Sequence, residues 1–384
     1  MSFLFRAPER RDDESTRMWA QMREARSSSW AGVSVTPEAA LRVPTVWRAL
    51  QYTAGVISML PLDEQAQRDG VWQDVRPSPL LSAPSGEVAL EDWLFLVVES
   101  MILHGGAYGV IKDEVNGWPT QVELVPPRLV QTKRNRDGLV EWKFNGERVD
   151  PSMVWHVPGR PDINNQPFGL SLVDYMAETV AVGTAARRYA SSWFAEGGAP
   201  VVVARPQADP GEDGALRLKE KIREALRTRA PAVIPQTIGL EEWKGSTPQD
   251  ATLVDLLIQN ATDVAAFFNL PSELIGGKSG DGLTYANLEQ RTLDLLAFGV
   301  GYWLNKLEKA LSRSIPRPRR AKFNEGAIVR TDIKTKTDTL VASVGGPFRT
   351  VDEGRAIVDL PPTPGGDTLR VPGAPTPAPQ GGQQ

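Results

Sequence analysis

The residues most able to do chemistry are Gly276, Gly277, Lys278, Ser279 and Gly280. Gly-Lys-Ser is the closing half of a phosphate-binding loop, where backbone N–H groups surround phosphates and the lysine neutralises them. The full pattern asks for glycine at position 272, where Ser272 stands, and for a preceding strand, where a helix and Pro271 stand. Read without a nucleotide, residues 271–282 (PSELIGGKSGDG) are a mobile helix-to-helix connection whose glycines leave the backbone unrestrained.

Other chemistries find no anchor. His104 and His156 are the two histidines, and neither has metal-ligand spacing, so structural roles are expected for both. There is no cysteine and no G-x-S-x-G serine, which removes thiolate chemistry and the nucleophile elbow. Catalytic, metal and cofactor-binding residues are therefore expected to be absent. The segment LRLKEKIREALRTR carries Arg217, Lys219, Lys221, Arg223, Arg227 and Arg229 on an amphipathic helix. Glu220 and Glu224 can pair with these cations on a solvated face; otherwise the helix meets nucleic acid or an acidic partner. A second basic patch, Arg317, Arg319, Arg320 and Lys322, lies beside prolines and is a further candidate for DNA or partner contact.

The 384-residue chain has a net charge of -4, which argues against a dedicated nucleic-acid binder but allows transient DNA passage. RAPERRDDE near the N-terminus is no signal peptide, and the apolar run between Arg48 and Asp63 is too short for a bilayer and contains Pro61. A soluble protein without membrane contact is expected.

Two apolar-periodic helices flank the glycine-rich connection. The first should start at Thr247-Pro248 and align Leu253, Val254, Leu257, Ala261, Val264, Ala265 and Phe268 along one face before Pro271 stops it. The second should open at Thr284 and run to Pro316, about 40 Å at roughly 1.5 Å per residue. Upstream, helices are expected over Pro44–Met59 and Leu90–Leu103. Three hairpin signals follow (Asn116-Gly117, Asp137-Gly138, Asn145-Gly146), predicting an antiparallel meander and an α+β domain ending near Gly169. Residues 171–196 form a helix rich in small side chains, suited to close packing against other helices. A strand-helix-strand module, Val201 to Trp243, separates it from the helix at Thr247. Helices are expected from Ala327 to Val344 and from Thr350 to Val358, where Thr350 and Glu353 form a capping box. The Pro-, Gly- and Gln-rich end cannot bury enough surface to fold.

In this order the parts resemble the portal protein family of tailed double-stranded DNA phages, the head-to-tail connectors of long-tailed phages. The resemblance rests on VPTVWRALQYTAGVISMLPL from Val43, DWLFLVVESMILHGGAYGVI from Asp92 and FGLSLVDYMAETVAV from Phe168. It continues in AAFFNLPSELIGG from Ala265, LTYANLEQRTLDLLAFGVGYWLNKLEKAL from Leu283, IVRTDIKTKTD from Ile328 and VDEGRAIVDLPPTPGGD from Val351.

The resemblance implies an α+β portal-type fold with a flexible arm (1–35), a wing (36–170), paired stem helices (171–196 and 247–270) and a small α/β clip (197–246). A tunnel loop (271–284), a long tunnel helix (285–312), a helical crown (313–360) and a disordered tail (361–384) complete it. It also implies a homo-oligomeric ring, a dodecamer, at a capsid vertex of the virion, assembled in the host cytoplasm. Double-stranded DNA would pass the loop at Gly276–Gly280 without sequence reading. Terminase, then head-completion or adaptor proteins, would meet the clip, and major capsid and scaffold proteins the outer surface. Small residues on the first stem helix would let copies pack side by side. Two other classes stay open: an ATP-dependent packaging or nuclease enzyme using GGKSG, and another structural head-tail adaptor or capsid protein.

Overall fold

The structure, a computed structural model, describes residues 35–135, 137, 139–162, 168–195, 202–206, 211–228, 238–242, 250–278, 294–327, 333–344, 349–358 and 360–369. The chain divides into two compact units: residues 1–284 with 294–324, and residues 285–293 with 325–384.

In the first unit, α1 (Pro44–Ser58) starts on Pro44, whose fixed φ suits a first helical position and whose missing N–H is no loss there. Its residues Val46, Ala49, Leu50, Ala54 and Ile57 recur at three- and four-residue steps and are fully buried. After Pro61 the chain runs as β1 (Leu62–Arg68) and turns at Asp69-Gly70, φ 50° and 81°, into β2 (Val71–Val75). Then comes α2 (Leu90–His104), with Glu91 and Asp92 against the N-terminal dipole and Gly105 at φ 78° as a left-handed stop.

The following strands are β3 (Gly106–Val115), β4 (Trp118–Leu124), β5 (Val130–Arg134), β6 (Val140–Phe144), β7 (Glu147–Val149) and β8 (Val154–Pro158). Asn116-Gly117 and Asn145-Gly146 adopt the positive φ angles of tight hairpin turns. The single meander expected from the sequence is instead two three-stranded sheets, because β8 leaves β7 and returns to β3, giving the order β4-β3-β8 beside β5-β6-β7. Burial decides this: Trp155 and Val157 on β8 reach the core only next to β3, where Trp93 of α2 meets Trp155 at 5.0 Å between ring centres. An aromatic seam of Tyr108, Trp142, His156 and Phe168 joins the two sheets.

His156 makes that seam sensitive to acid. Its ring stacks on Tyr108 and its Nε2 is buried without a hydrogen-bond partner. Burial, helped by the Lys306 charge, pushes its pKa down to about 4 from 6.5. The unfolded chain therefore takes the proton first. The contribution is complete above pH 6.5 and declines as pH falls towards 4, by roughly 3 kcal/mol in all. His156→Phe should flatten this acid loss in the urea-unfolding midpoint, and an unchanged pH profile would show that other groups govern it.

The body continues through a short ladder of β9 (Arg160–Pro161) and β10 (Gly169–Leu170). It leads into α3 (Ala177–Ala195), β11 (Val202–Pro206), α4 (Gly211–Thr228), β12 (Ile238–Glu242) and α5 (Asp250–Phe268). β11 and β12 pair antiparallel, as the strand-helix-strand reading expects. The helix start at Thr247-Pro248 lies outside the described residues. Of the long helix expected from Thr284, residues 279–293 lie outside them too. The described part opens with a π-helical turn, Leu295–Val300, and continues as α6 (Gly301–Arg313).

Three of the four cations of the second basic patch are tied into the fold. Residues Arg319–Phe323 form β13, which pairs with β1 in register Leu62↔Phe323 to Ala66↔Arg319. Arg319 Nη1 lies 2.9 Å from Glu64 Oε1, Arg320 stacks 4.1 Å above the Trp72 ring, and Lys322 Nζ lies 2.8 Å from Glu308 Oε1. These three cations are engaged inside the subunit, while Arg317, the fourth of the patch, is exposed.

In the second unit, α7 (Ile333–Val344) packs on α8 (Val351–Ala356), with Gly354 against Val344. Thr350 and Glu353 form both bonds of the expected capping box. Residues 361–369 differ from the disordered tail expected. Thr363 N–H donates to Asp352 Oδ1 at 2.8 Å, Arg355 Nε donates to the Pro361 carbonyl at 2.7 Å, and Asp352 N–H donates to the Gly366 carbonyl at 2.9 Å. A proline-rich strap needs little entropy loss to hold one shape when a neighbouring carboxylate takes its free N–H groups. Residues 370–384 lie outside the described residues.

Candidate channel loop and subunit-contact surfaces

The two helices around the strand-helix-strand module pack on one another, and their small residues explain how. Ala177, Ala181 and Ala186 on α3 are buried, and Gly183 lies where an added Cβ would sit 2.5 Å from Asn260 Oδ1. Asn260 Nδ2 donates to the Thr179 carbonyl at 2.7 Å, so α5 carries a buried amide that bonds the backbone of α3. The small face is thus used within the subunit rather than left for a second copy. Asn260 is a site residue that periodicity hides: it sits among apolar neighbours, and only its partner 81 residues away explains it.

Away from this seam α5 is uncovered. Val254, Leu256 and Ile258 are exposed, at 55%, 42% and 37%, as are Tyr189 on α3 and Phe298 and Tyr302 along the π turn and α6. Apolar side chains concentrated on elongated helices leave surfaces that a partner can cover.

The glycine-rich connection is tighter at its root than its composition suggests. Helix α5 ends at Asn269, φ 55°, and Ser272–Ile275 form one 3-10 turn with Ile275 buried. Gly276 takes φ 90°, Gly277 N–H donates to the Ser272 carbonyl at 2.7 Å, and Lys278 N–H donates to Thr262 Oγ1 at 3.0 Å. Ser272 Oγ donates to the Lys278 carbonyl at 2.7 Å. Residues 271–278 are therefore pinned to α5 rather than unrestrained, which corrects the mobile reading for that half. Thr262 and Ser272, which do the pinning, carry no signal in the sequence. The Gly276 and Lys278 side faces stay exposed. Ser279 and Gly280 lie outside the described residues.

That root bears on the phosphate-binding alternative. In such a loop the amides after the glycines must point at the ligand. Here those of Gly277 and Lys278 are already donated within the turn, and the preceding element is helix α5.

Of the basic helix, Arg217, Lys219 and Lys221 are exposed on α4, and Arg217 Nε reaches the Asp213 carbonyl at 3.4 Å. Arg223 and Arg227 belong to the same helix, and Arg229 lies outside the described residues. These cations belong to α4, whereas Gly276–Lys278 belong to the turn that follows α5. Among the described residues no group of three His, Asp or Glu side chains could hold a metal ion. No described helix is long and apolar enough to cross a membrane.

Comparison with known proteins decides the family. The family model described as phage portal protein matches residues 44–359, from the start of α1 past the end of α8. The chain belongs to the phage portal protein family. A probable portal protein of Streptomyces phage phiC31 is 25% identical over 367 residues, covering 89% of this chain and 80% of that one. The crystal structure of an HK97-family phage portal protein from Corynebacterium diphtheriae has a TM-score of 0.60 at 21% identity, covering 77% of this chain and 98% of that chain. A chain from the neck of a native gene transfer agent particle, computed with C12 symmetry, has a TM-score of 0.57 at 18% identity and covers 90% of this chain. The α+β portal-type fold expected from the sequence is the fold observed.

Proposed function

We propose that this portal-family chain assembles as a dodecameric ring around an axial channel at a capsid vertex, and that double-stranded DNA passes through it during packaging and ejection. The observation that carries this reading is the match to the portal model over residues 44–359, on a fold shared with a neck chain computed with C12 symmetry. The uncovered apolar residues of α5 and α6 fit it, because a single subunit leaves open what neighbours would cover.

In this reading residues 36–170 are the wing, α3 and α5 the stem, and α4 with β11 and β12 the clip. The basic face of α4 then docks the terminase and later the head-completion proteins, while major capsid and scaffold proteins meet the outer surface in the host cytoplasm. The turn after α5 is the base of a tunnel loop: its pinned root holds Lys278 and the glycine-rich residues after it towards the duplex, and the single lysine touches phosphate without reading bases. The chain acts as a conduit and not as an enzyme; a mildly acidic protein lets DNA slide, since strong phosphate neutralisation would hold it.

Negative-stain class averages of purified protein should show rings with a central hole. Deleting residues 279–282, which leaves the pinned root intact, should preserve the rings and lower genome packaging or retention. A protein that stays monomeric over a range of salt contradicts the ring. ATP hydrolysis lost in Lys278→Ala would replace the conduit with the packaging-enzyme reading.

A further inference from the structure

The portal family accounts for a ring but not for which side chains join its copies. One pair of cations has no carboxylate partner among the described residues. Arg160 of β9 lies over two aromatic rings of α6, its Cζ 5.7 Å from the Tyr302 centre and 5.9 Å from that of Trp303. Its Nε is buried without a hydrogen-bond partner, and no carboxylate among the described residues pairs with it. Lys306 Nζ lies 5.6 Å from the Tyr302 ring centre and 3.4 Å from its hydroxyl, and donates to the Gly159 carbonyl. Two cations thus lie beside one tyrosine, and neither pairs with a carboxylate among the described residues. Their mutual repulsion favours an anion, and the rings hold the guanidinium in place for one.

The surroundings show what kind of acceptor. Phe298, Tyr302 and Lys306 follow one another at four-residue steps, and Phe298 is 72% exposed. A duplex presents repeated phosphates and favours extended rows of cations, whereas a two-cation notch bordered by an exposed phenylalanine suits a carboxylate set among apolar side chains. One such carboxylate among the described residues is Asp255 on α5, which has exposed Val254 and Leu256 on either side and exposed Ile258 one turn on. Both patches belong to the same compact unit but lie apart. Gly299 abuts the carbonyl of Asn269 at the far end of α5, about 20 Å along the helix from Asp255 at 1.5 Å per residue. Two separate, complementary patches are what a head-to-tail ring contact requires.

We propose that the Arg160–Tyr302–Lys306 notch of one subunit receives Asp255 of the neighbouring copy, with Phe298 packing beside Val254 and Ile258, and that this contact sets the register of the ring. The proposal rests on the ring reading above. It differs from a stability role for Arg160, whose guanidinium pairs with no carboxylate among the described residues.

The test is a charge swap read by mass photometry and negative-stain microscopy on the full chain. Arg160→Glu and Asp255→Arg alone should each raise the concentration for half-assembly by tenfold or more, as expected for loss of a desolvated interfacial pair. The double variant should recover rings, and thermal unfolding of the single variants should match the parent monomer. Rings that form equally well in both single variants overturn the pairing and leave the portal reading intact. Failure of the double variant to recover overturns Asp255 as the partner. Intact rings that lose DNA retention in Arg160→Glu overturn it in favour of a duplex-facing notch. A parent chain that never forms rings removes the reading on which the proposal rests.

Discussion

Gly169→Ala is expected to destabilise the first unit by about 3 kcal/mol or more, or to prevent its folding. Three glycines meet where α2 ends and the β9-β10 ladder begins. The N–H of Gly159 donates to the Gly105 carbonyl at 2.7 Å, and Gly169 lies directly against both. A methyl at Gly169 would overlap the Gly105 oxygen and the Gly159 nitrogen and lie 2.8 Å from the Gly159 Cα. All of these are backbone atoms, so no side chain can swing away to make room. Relief requires breaking the Gly159–Gly105 bond or moving the whole ladder, and Lys306 is anchored to the same Gly159 carbonyl. The comparison is Gly55→Ala in α1, where an added Cβ meets nothing within 4 Å and a better helix former should gain up to about 1 kcal/mol. Urea-unfolding midpoints should move in opposite directions for the two variants. If Gly169→Ala unfolds at the parent midpoint, the three-glycine junction is not closely packed.

Glu64→Leu should cost about 1–3 kcal/mol, the usual penalty for leaving a donor without its buried acceptor. Glu64 is fully buried. Its carboxylate accepts from Arg319 Nη1 at 2.9 Å and from Ser78 N–H at 2.6 Å, so one side chain joins β1, β13 and the turn before residue 79. Leucine would fill the space but leave the Ser78 amide without its acceptor, while the Arg319 side chain, 40% exposed, turns to water. Glu64→Gln keeps an acceptor for Ser78 and should lose less. The double variant Glu64→Leu with Arg319→Met should recover part of the loss, because the guanidinium beside the new apolar side chain goes too. Hydrogen exchange of residues 319–323 reports the same event locally: it should speed in Glu64→Leu and return towards the parent rate in the double variant. Equal exchange in all three would mean that strand pairing, not the ion pair, holds β13.

Local signals are legible wherever local physics decides the outcome. Pro44 opens α1, Gly105 closes α2, Asn116-Gly117 and Asn145-Gly146 turn their hairpins, and Thr350 with Glu353 caps α8, all as read from residue type and spacing. The Asp69-Gly70 hairpin carries an equal turn signal, but β1 and β2, LDEQAQR and VWQDV, are too polar to announce themselves as strands. Their sheet is recognisable only once β13 lies beside β1.

The candidate site divides in the same way. The glycine-rich connection and the basic stretch of α4 stand out by composition. That the root of the connection is pinned depends on Thr262, 16 residues upstream of Lys278, and Gly183 of α3 faces Asn260 of its own chain. The cations of β13 are consumed by Glu64, Trp72 and Glu308, while Arg160, unremarkable in sequence, is left without an acceptor.

The amino-acid order by itself determined the helices, the tight turns, the caps and the family, because each depends on residues within a turn or two of one another or on their succession along the chain. Tertiary structure alone decided which charges are neutralised, which small residues are covered, and that β8 pairs with β3 and β13 with β1. Those outcomes depend on burial and electrostatic pairing between residues far apart in sequence, and their energies exist only once the chain has brought the partners together.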